Sequence, residues 1–171
     1  MTEIIFSLKN FDKMTKQMQS DLQKHYAKVG VLAAKNARTE DDDNVDNAYL
    51  AAIHEYGVVS QNLPARSFFR LTQEKRSDEM AAFITANESG IMAQVMAGRT
   101  IDVLKKLGAK WVSYINECFE TEGFGTWAPL SESTIEERRS RTPKAKRKKG
   151  FNPKILQDTG QLERSITFEV K

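Results

Sequence analysis

Thr100 to Cys118, TIDVLKKLGAKWVSYINEC, carries the clearest periodic signal in the chain. Ile101, Leu104, Leu107, Trp111, Tyr114, Ile115 and Cys118 recur at three- and four-residue intervals, which places them on one face of a helix. Thr100 is placed to cap its start. A stripe of this length needs other elements to cover it, and the flanking sequence supplies both helices and strands.

Upstream, a helix is predicted from Phe68 to about Asn87, broken at Ser89-Gly90 and again at Gly98. Gln61 to Arg70, QNLPARSFFR, reads as a turn or extended lead into it, because Pro64 fixes its own φ and disfavours helix at Leu63. Asn47 to Tyr56, NAYLAAIHEY, reads as a short helix with Tyr49, Leu50, Ile53 and Tyr56 inward, stopped by Gly57. Val29 to Ala34, VGVLAA, reads as a buried strand. Phe11, Met14, Met18, Leu22 and Tyr26 mark a first helix, capped by Asn10 or Asp12 and ending near Gly30. Glu3 to Leu8 is short, apolar and β-prone.

Downstream, Gly123 to Pro129 is a loop and Ser131 to Arg139 a short polar helix. Thr159 to Arg164 forms one helical turn, capped by Asp158 or Thr159. Ser165 to Val170, SITFEV, alternates Ile166, Phe168 and Val170 on one face, which is the pattern of a half-buried strand. Strands and helices do not alternate as βαβ units do. The pattern predicts one α+β domain over residues 1–171: a small, mostly antiparallel sheet packed against several helices, with long acidic and basic loops.

Charge is unevenly spread. The net value is +3, yet residues Arg138 to Lys154 hold nine Lys or Arg and no acid, leaving the rest of the chain at −6. Lys144, Lys146, Arg147, Lys148 and Lys149 crowd into six residues and repel one another, so this basic loop (138–154) is extended unless an anionic partner neutralises it. Glu40-Asp41-Asp42-Asp43 is an acidic loop of the opposite sign. The basic segment is read as a solvated loop, as a contact to DNA phosphates, or as a dock for an acidic patch on a neighbouring subunit. Only Phe151 is near it, so sequence-specific base stacking is not expected.

The chemistry-bearing motifs are thin. Cys118 is the only cysteine, so no internal disulfide forms, and its place in an apolar stripe marks it as a buried, inert thiol. His54-Glu55 starts like the zincin helix, but position 58 is Val where the second His belongs. There is no phosphate-cradling glycine loop. Asp158-Thr159-Gly160 matches the aspartic-protease tripeptide; the following Gln161-Leu162-Glu163-Arg164 favours a helical turn, and Asp158, Thr159 and Gly160 are assigned to a structural turn. The expectation is no enzyme, no metal and no cofactor. No apolar run approaches membrane-spanning length, and MTEIIFSLKN does not read as a signal peptide.

Three segments stand in a telling order: His54-Glu55-Tyr56-Gly57 with Leu63-Pro64-Ala65-Arg66-Ser67-Phe68-Phe69-Arg70; Trp127-Ala128-Pro129-Leu130 with Ser133-Thr134-Ile135 and Arg138; and Ile155 to Ile166, ILQDTGQLERSI. The set resembles the virion-morphogenesis and tail-completion proteins of Mu-like and related tailed phages, and its first element resembles the wider group of neck and tail-component proteins found beside portal genes. The matching stretches run from Ala48 to Arg70 and from Trp127 to Val170; the long basic stretch between Arg138 and Ile155 departs from the pattern.

The resemblance implies a small α+β subunit of a ring, commonly sixfold, at the head–tail junction or tail top. It implies no catalytic residues. Its partners would be further copies of the chain (a hexamer is expected), other neck proteins, portal-side and tail-tube proteins, and DNA in the lumen contacted without sequence preference. The location would be the virion, and the host cytoplasm during assembly. Arg66, Phe68, Phe69, Arg70 and Trp127 are the candidate interface residues: Phe68 and Phe69 point to different sides, with one in the core and the other against a neighbour or both in the core of the chain, Trp127 is either a loop anchor or an interface anchor, and the two arginines are placed to pair with acids across a subunit boundary. A nucleic-acid-binding module built on the basic segment is the alternative.

Overall fold

The fold is that of a computed structural model describing residues 8–37, 45–141, 153–158 and 160–171. Among these, the helices are α1 (Leu8–Lys24), α2 (Asn47–Tyr56), α3 (Phe69–Ala86), α4 (Glu88–Met96), α5 (Thr100–Glu120), α6 (Glu132–Arg141) and α7 (Gln161–Ser165). The strands are β1 (Ala27–Val31) and β2 (Ile166–Val170), with short 3-10 turns at Ala33–Lys35 and Val59–Gln61. This is the α+β class expected, with helix dominating.

The organiser is α5. It buries Val103, Tyr114, Ile115, Cys118 and Phe119, while Leu104, Leu107 and Trp111 are half-buried and Ile101 is exposed. The stripe is therefore rotated slightly from the predicted one, because the helix is covered from two sides. The sheet lies on one side: β1 and β2 pair antiparallel, with Val29 opposite Phe168. The ring of Phe168 sits where a side chain at position 108 would be, since a Cβ on Gly108 would come within 2.7 Å of it. Helices α3 and α4 cover the other side. Phe68 and Phe119 are fully buried and stack at 4.9 Å, with Trp127 edge-on to Phe119 at 5.7 Å. Full burial of each phenylalanine contributes about 1.5–3 kcal/mol.

Several element boundaries differ from the sequence reading. Helix α1 ends at Lys24 rather than near Gly30, because the chain from Tyr26 onward is captured by the β2 ladder: Tyr26 and Lys171 exchange backbone hydrogen bonds at 2.8 and 3.0 Å. The strand is accordingly Ala27–Val31, not Val29–Ala34, and Ala33 begins a 3-10 turn. Asn10 and Asp12 lie inside α1 and do not cap it. Ser89-Gly90 is inside α4, and the break falls at Asn87 instead. Thr100 is the first residue of α5, buried, with Arg99 at the cap position. The predicted strand before Leu8, the acidic residues Glu40, Asp41, Asp42 and Asp43, and the basic residues Lys144, Lys146, Arg147, Lys148 and Lys149 lie outside the described residues, as does Thr159. No described helix is long and apolar enough to cross a membrane.

Candidate functional site

Helix α2 has the predicted bounds but turns a different face inward. Asp46 caps it by accepting the Tyr49 N–H at 2.7 Å, and Gly57, at φ +72°, ends it. A Cβ at Gly57 would meet the Ala65 backbone at 2.7 Å, so only glycine allows the chain to turn back here. Tyr49 and Tyr56 are mostly exposed; the buried positions are Asn47, Ala51 and Glu55.

The burial of Glu55 is explained by its partners. The segment after Pro64 runs back along the end of α2 and starts α3, whose first amides lack helical acceptors. The Glu55 carboxylate supplies them, accepting the N–H groups of Phe68, Phe69 and Arg70 at 2.9, 3.0 and 3.0 Å. It also accepts the Ser67 hydroxyl at 2.5 Å and Arg70 Nε at 3.1 Å. Burial pushes the carboxyl's pKa up, but the Ser67 hydroxyl and the three amides outweigh it and hold the group below its ordinary value. One carboxylate thus caps a helix from another helix.

Arg66 ties this corner to the loop after α5. Its backbone N–H reaches the His54 carbonyl at 2.7 Å, and its guanidinium donates to the carbonyls of Ala128 (3.1 Å) and Pro129 (3.0 Å). Trp127 donates its indole N–H to the Ser67 carbonyl at 3.0 Å. The same loop reaches the third segment through Glu122, whose carboxylate accepts the Ile155 N–H at 2.9 Å. Residues 54–70, 122–130 and 155–166, well separated in sequence, form one hydrogen-bonded frame.

The frame opens on a groove of about 570 Å³, walled by residues of all three segments and of α6, among them His54, Arg66, Pro129, Arg138, Asp158 and Leu162. His54 sits in its wall with Nδ1 buried and without a hydrogen-bond partner among the described residues. Burial, then the positive charges of Arg66 and Arg138, lower its pKa from 6.5 to about 4, so the imidazole is neutral at pH 7. Asp158 faces α6: Oδ2 accepts from Arg141 at 3.1 Å and Oδ1 lies 3.6 Å from Arg138 Nε. It does not cap α7; Gly160, at φ +71°, holds that position without a side-chain cap. No group of three His, Cys, Asp or Glu among the described residues is arranged to hold a metal. Walls of two guanidiniums, one carboxylate, hydroxyls and leucines are suited to gripping a polar peptide segment.

The five interface candidates are thus placed together, and each has partners inside the chain, while Phe69 stays half-buried and Arg70 exposed. Phe68 is fully buried, and Phe69 packs on it at 4.6 Å. Trp127 is a loop anchor, 8% exposed. Arg66 is buried against main-chain carbonyls, and Arg70 pairs with Glu55 while lying over the Tyr56 ring at 4.7 Å. Within the chain, Arg66 donates to the carbonyls of the 127–130 turn and Arg70 to the carboxylate of Glu55 in α2. Glu55, Ser67 and Glu122 were not singled out by sequence. The available signal was a carboxylate one residue from the end of a helix followed closely by a second helix start.

No family model, no curated protein and no solved structure matches this chain.

Proposed function

We propose that this chain is a non-enzymatic structural protein of a tailed bacteriophage, a ring-forming neck or tail-completion subunit that works by assembly. The observation that carries the reading is the convergence of the three segments on which the resemblance rests into one frame. Glu55, Arg66, Trp127 and Glu122 spend their polar atoms on main-chain groups. Such a frame holds loops at fixed angles, which is what a subunit that must repeat around an axis requires. The groove beside it offers a neighbour a polar seat, and residues 138–154 add a cationic segment for an acidic partner surface or for DNA phosphates in a lumen.

The test is assembly. Sedimentation and light scattering across a concentration series, alone and with purified portal-side and tail-tube proteins, should give a discrete ring or a defined complex. A chain that stays monomeric throughout and joins neither partner ends this reading. Salt-dependent DNA binding by such a monomer, lost when Lys144, Lys146, Arg147, Lys148 and Lys149 are neutralised, would favour the nucleic-acid module instead.

A further inference from the structure

The two-stranded sheet has an open side. Tyr26 and Lys171 form a hydrogen-bonded antiparallel pair, so pairing alternates along the ladder: Lys28 and Gly30 face β2, while the N–H and C=O groups of Ala27, Val29 and Val31 point away from it. None of those groups has a hydrogen-bond partner among the described residues. An open row of this kind is a template for another strand.

The space along that edge is shaped. One cavity of about 380 Å³ lies between Ala27 and Val29 of β1 and the residues Thr72, Trp111 and Ile115 of α3 and α5. A second, of about 310 Å³, lies between Val31 and Ala51, Ala52 and Tyr56 of α2. Phe69 borders both. A strand added to β1 would present alternate side chains to the same face about 7 Å apart, matching two recesses of mixed apolar and polar lining on either side of one ring.

The chain contains a fitting strand. Glu3-Ile4-Ile5-Phe6 is β-prone, with Ile4 and Phe6 two residues apart and so on one face. In the assembly proposed above, a second copy supplies such a strand to an edge that is open among the described residues.

We propose that residues 3–6 of a second copy add as a third strand to the open edge of β1, with Ile4 and Phe6 seated on either side of Phe69. The contact is head-to-tail: each copy gives a strand and receives one, so repetition closes a ring or runs on as a filament. The proposal rests on the assembly part of the reading above and specifies its joint.

The experiment uses the full chain in two variants. I4D/F6D spoils the donated strand and leaves the accepting edge. Val29→Pro removes an edge-facing N–H and leaves the β1–β2 ladder bonds, and Val29→Ala controls for the loss of the valine side chain from the core: it should assemble like the parent. By sedimentation I4D/F6D and Val29→Pro, each alone, should weaken self-association by about tenfold or more, as loss of a β-augmentation contact would. Mixed one to one, they should form a dimer, because one sound strand meets one sound edge. Hydrogen exchange at Ala27, Val29 and Val31 should be slow only in the assembled parent. Assembly unchanged in both variants overturns the proposal, as does a mixture that stays monomeric. So does slow exchange at these amides in a monomer, which would mean that the chain covers its own edge. Edge-dependent rings that ignore portal-side and tail-tube proteins would sink the phage reading and leave this joint standing; partner binding with edge-independent assembly would do the reverse.

Discussion

Glu55 and Arg70 hold each other twice: Arg70 Nε donates to the Glu55 carboxylate at 3.1 Å, and its terminal nitrogen donates to the Glu55 main-chain carbonyl at 2.6 Å. The first contact closes the cap on α3; the second satisfies a carbonyl in the last turn of α2, where helical acceptors go unused. One arginine therefore joins a helix end to a helix start, alongside the amides that Glu55 caps.

Replacing Glu55 should cost more than an ordinary surface change. Glu55→Ala leaves three amides and the Ser67 hydroxyl without their shared acceptor, and about 3 kcal/mol of stability should be lost. Glu55→Gln should be nearly as damaging, since its NH2 group would face donors. The carboxyl is held below its ordinary value of 4.5 when folded. Its contribution is therefore complete above about pH 4.5 and is lost as pH falls through the folded pKa. Urea titrations at pH 7 and below pH 4 check both points: the parent should lose this stabilisation in acid, and Glu55→Gln should lack that component.

His54 acts over a different window. Its pKa is 6.5 when unfolded and about 4 in place, through burial first and then the Arg66 and Arg138 charges. The unfolded chain binds the proton more readily, so stability is full above pH 6.5 and declines down to about pH 4. The loss is at most about 3–4 kcal/mol, from about 1.36 kcal/mol per unit. His54→Leu should flatten the pH dependence between 6.5 and 4. An NMR titration placing the His54 imidazole near 6.5 in the folded chain would refute the assignment.

Much of the frame was legible in the sequence, and what was missed has a common cause. Gly57 is a local stop signal, and it gave α2 its correct bounds together with the apolar run before it. The face α2 buries was misread because Glu55 is buried only by amides that lie beyond a turn, at Phe68 to Arg70. Alternation identified β2, with Ile166, Phe168 and Val170 on one side. The α1–β1 boundary was misplaced because periodicity at Tyr26 competes with a backbone pairing to Lys171, at the far end of the chain. Phe68 and Trp127 stood out as aromatics needing partners, but only packing reveals that these are Phe119 and the Ser67 carbonyl.

Gly108 should resist substitution although it lies mid-helix. Alanine there would normally stabilise an exposed helix by about 1 kcal/mol. Here the new Cβ would come 2.7 Å from Cδ2 and 2.9 Å from Cγ of Phe168, lifting β2 from α5. Overpacking of this kind costs about 1–3 kcal/mol, so Gly108→Ala should be destabilising overall. Adding Phe168→Leu should recover part of the loss. A simple gain in Tm for Gly108→Ala would show that the sheet is free to move away.

Cys118 should report global opening. It is fully buried, and burial, its largest influence, pushes the thiol up to about 11. Thiolate is scarce at pH 8, and the reagent has no path to it. Labelling by a disulfide reagent should follow the unfolding equilibrium, accelerating with urea along the same curve as circular dichroism. Rapid labelling in native buffer would contradict the packing of α5.

Trp127 separates anchoring from mere burial. Trp127→Phe keeps an aromatic ring against Phe119 but removes the donor to the Ser67 carbonyl, leaving that carbonyl short of a partner; about 1–2 kcal/mol should be lost. Trp127→Ala also empties the space between the α5 end and the α3 start, and about 3–5 kcal/mol should go. Gly123→Ala attacks the same anchor from outside, because position 123 has φ +72° and its Cβ would overlap the indole. If the anchor sets the 127–130 turn, all three changes should loosen the Arg66 contacts to Ala128 and Pro129 and speed amide exchange at Ser67 and Phe68. The measurement is hydrogen exchange with mass spectrometry on each variant at matched stability. Exchange that quickens uniformly over the chain would reduce Trp127 to a filler of space; exchange confined to 64–70 and 127–131 would mark it as the peg that positions the groove.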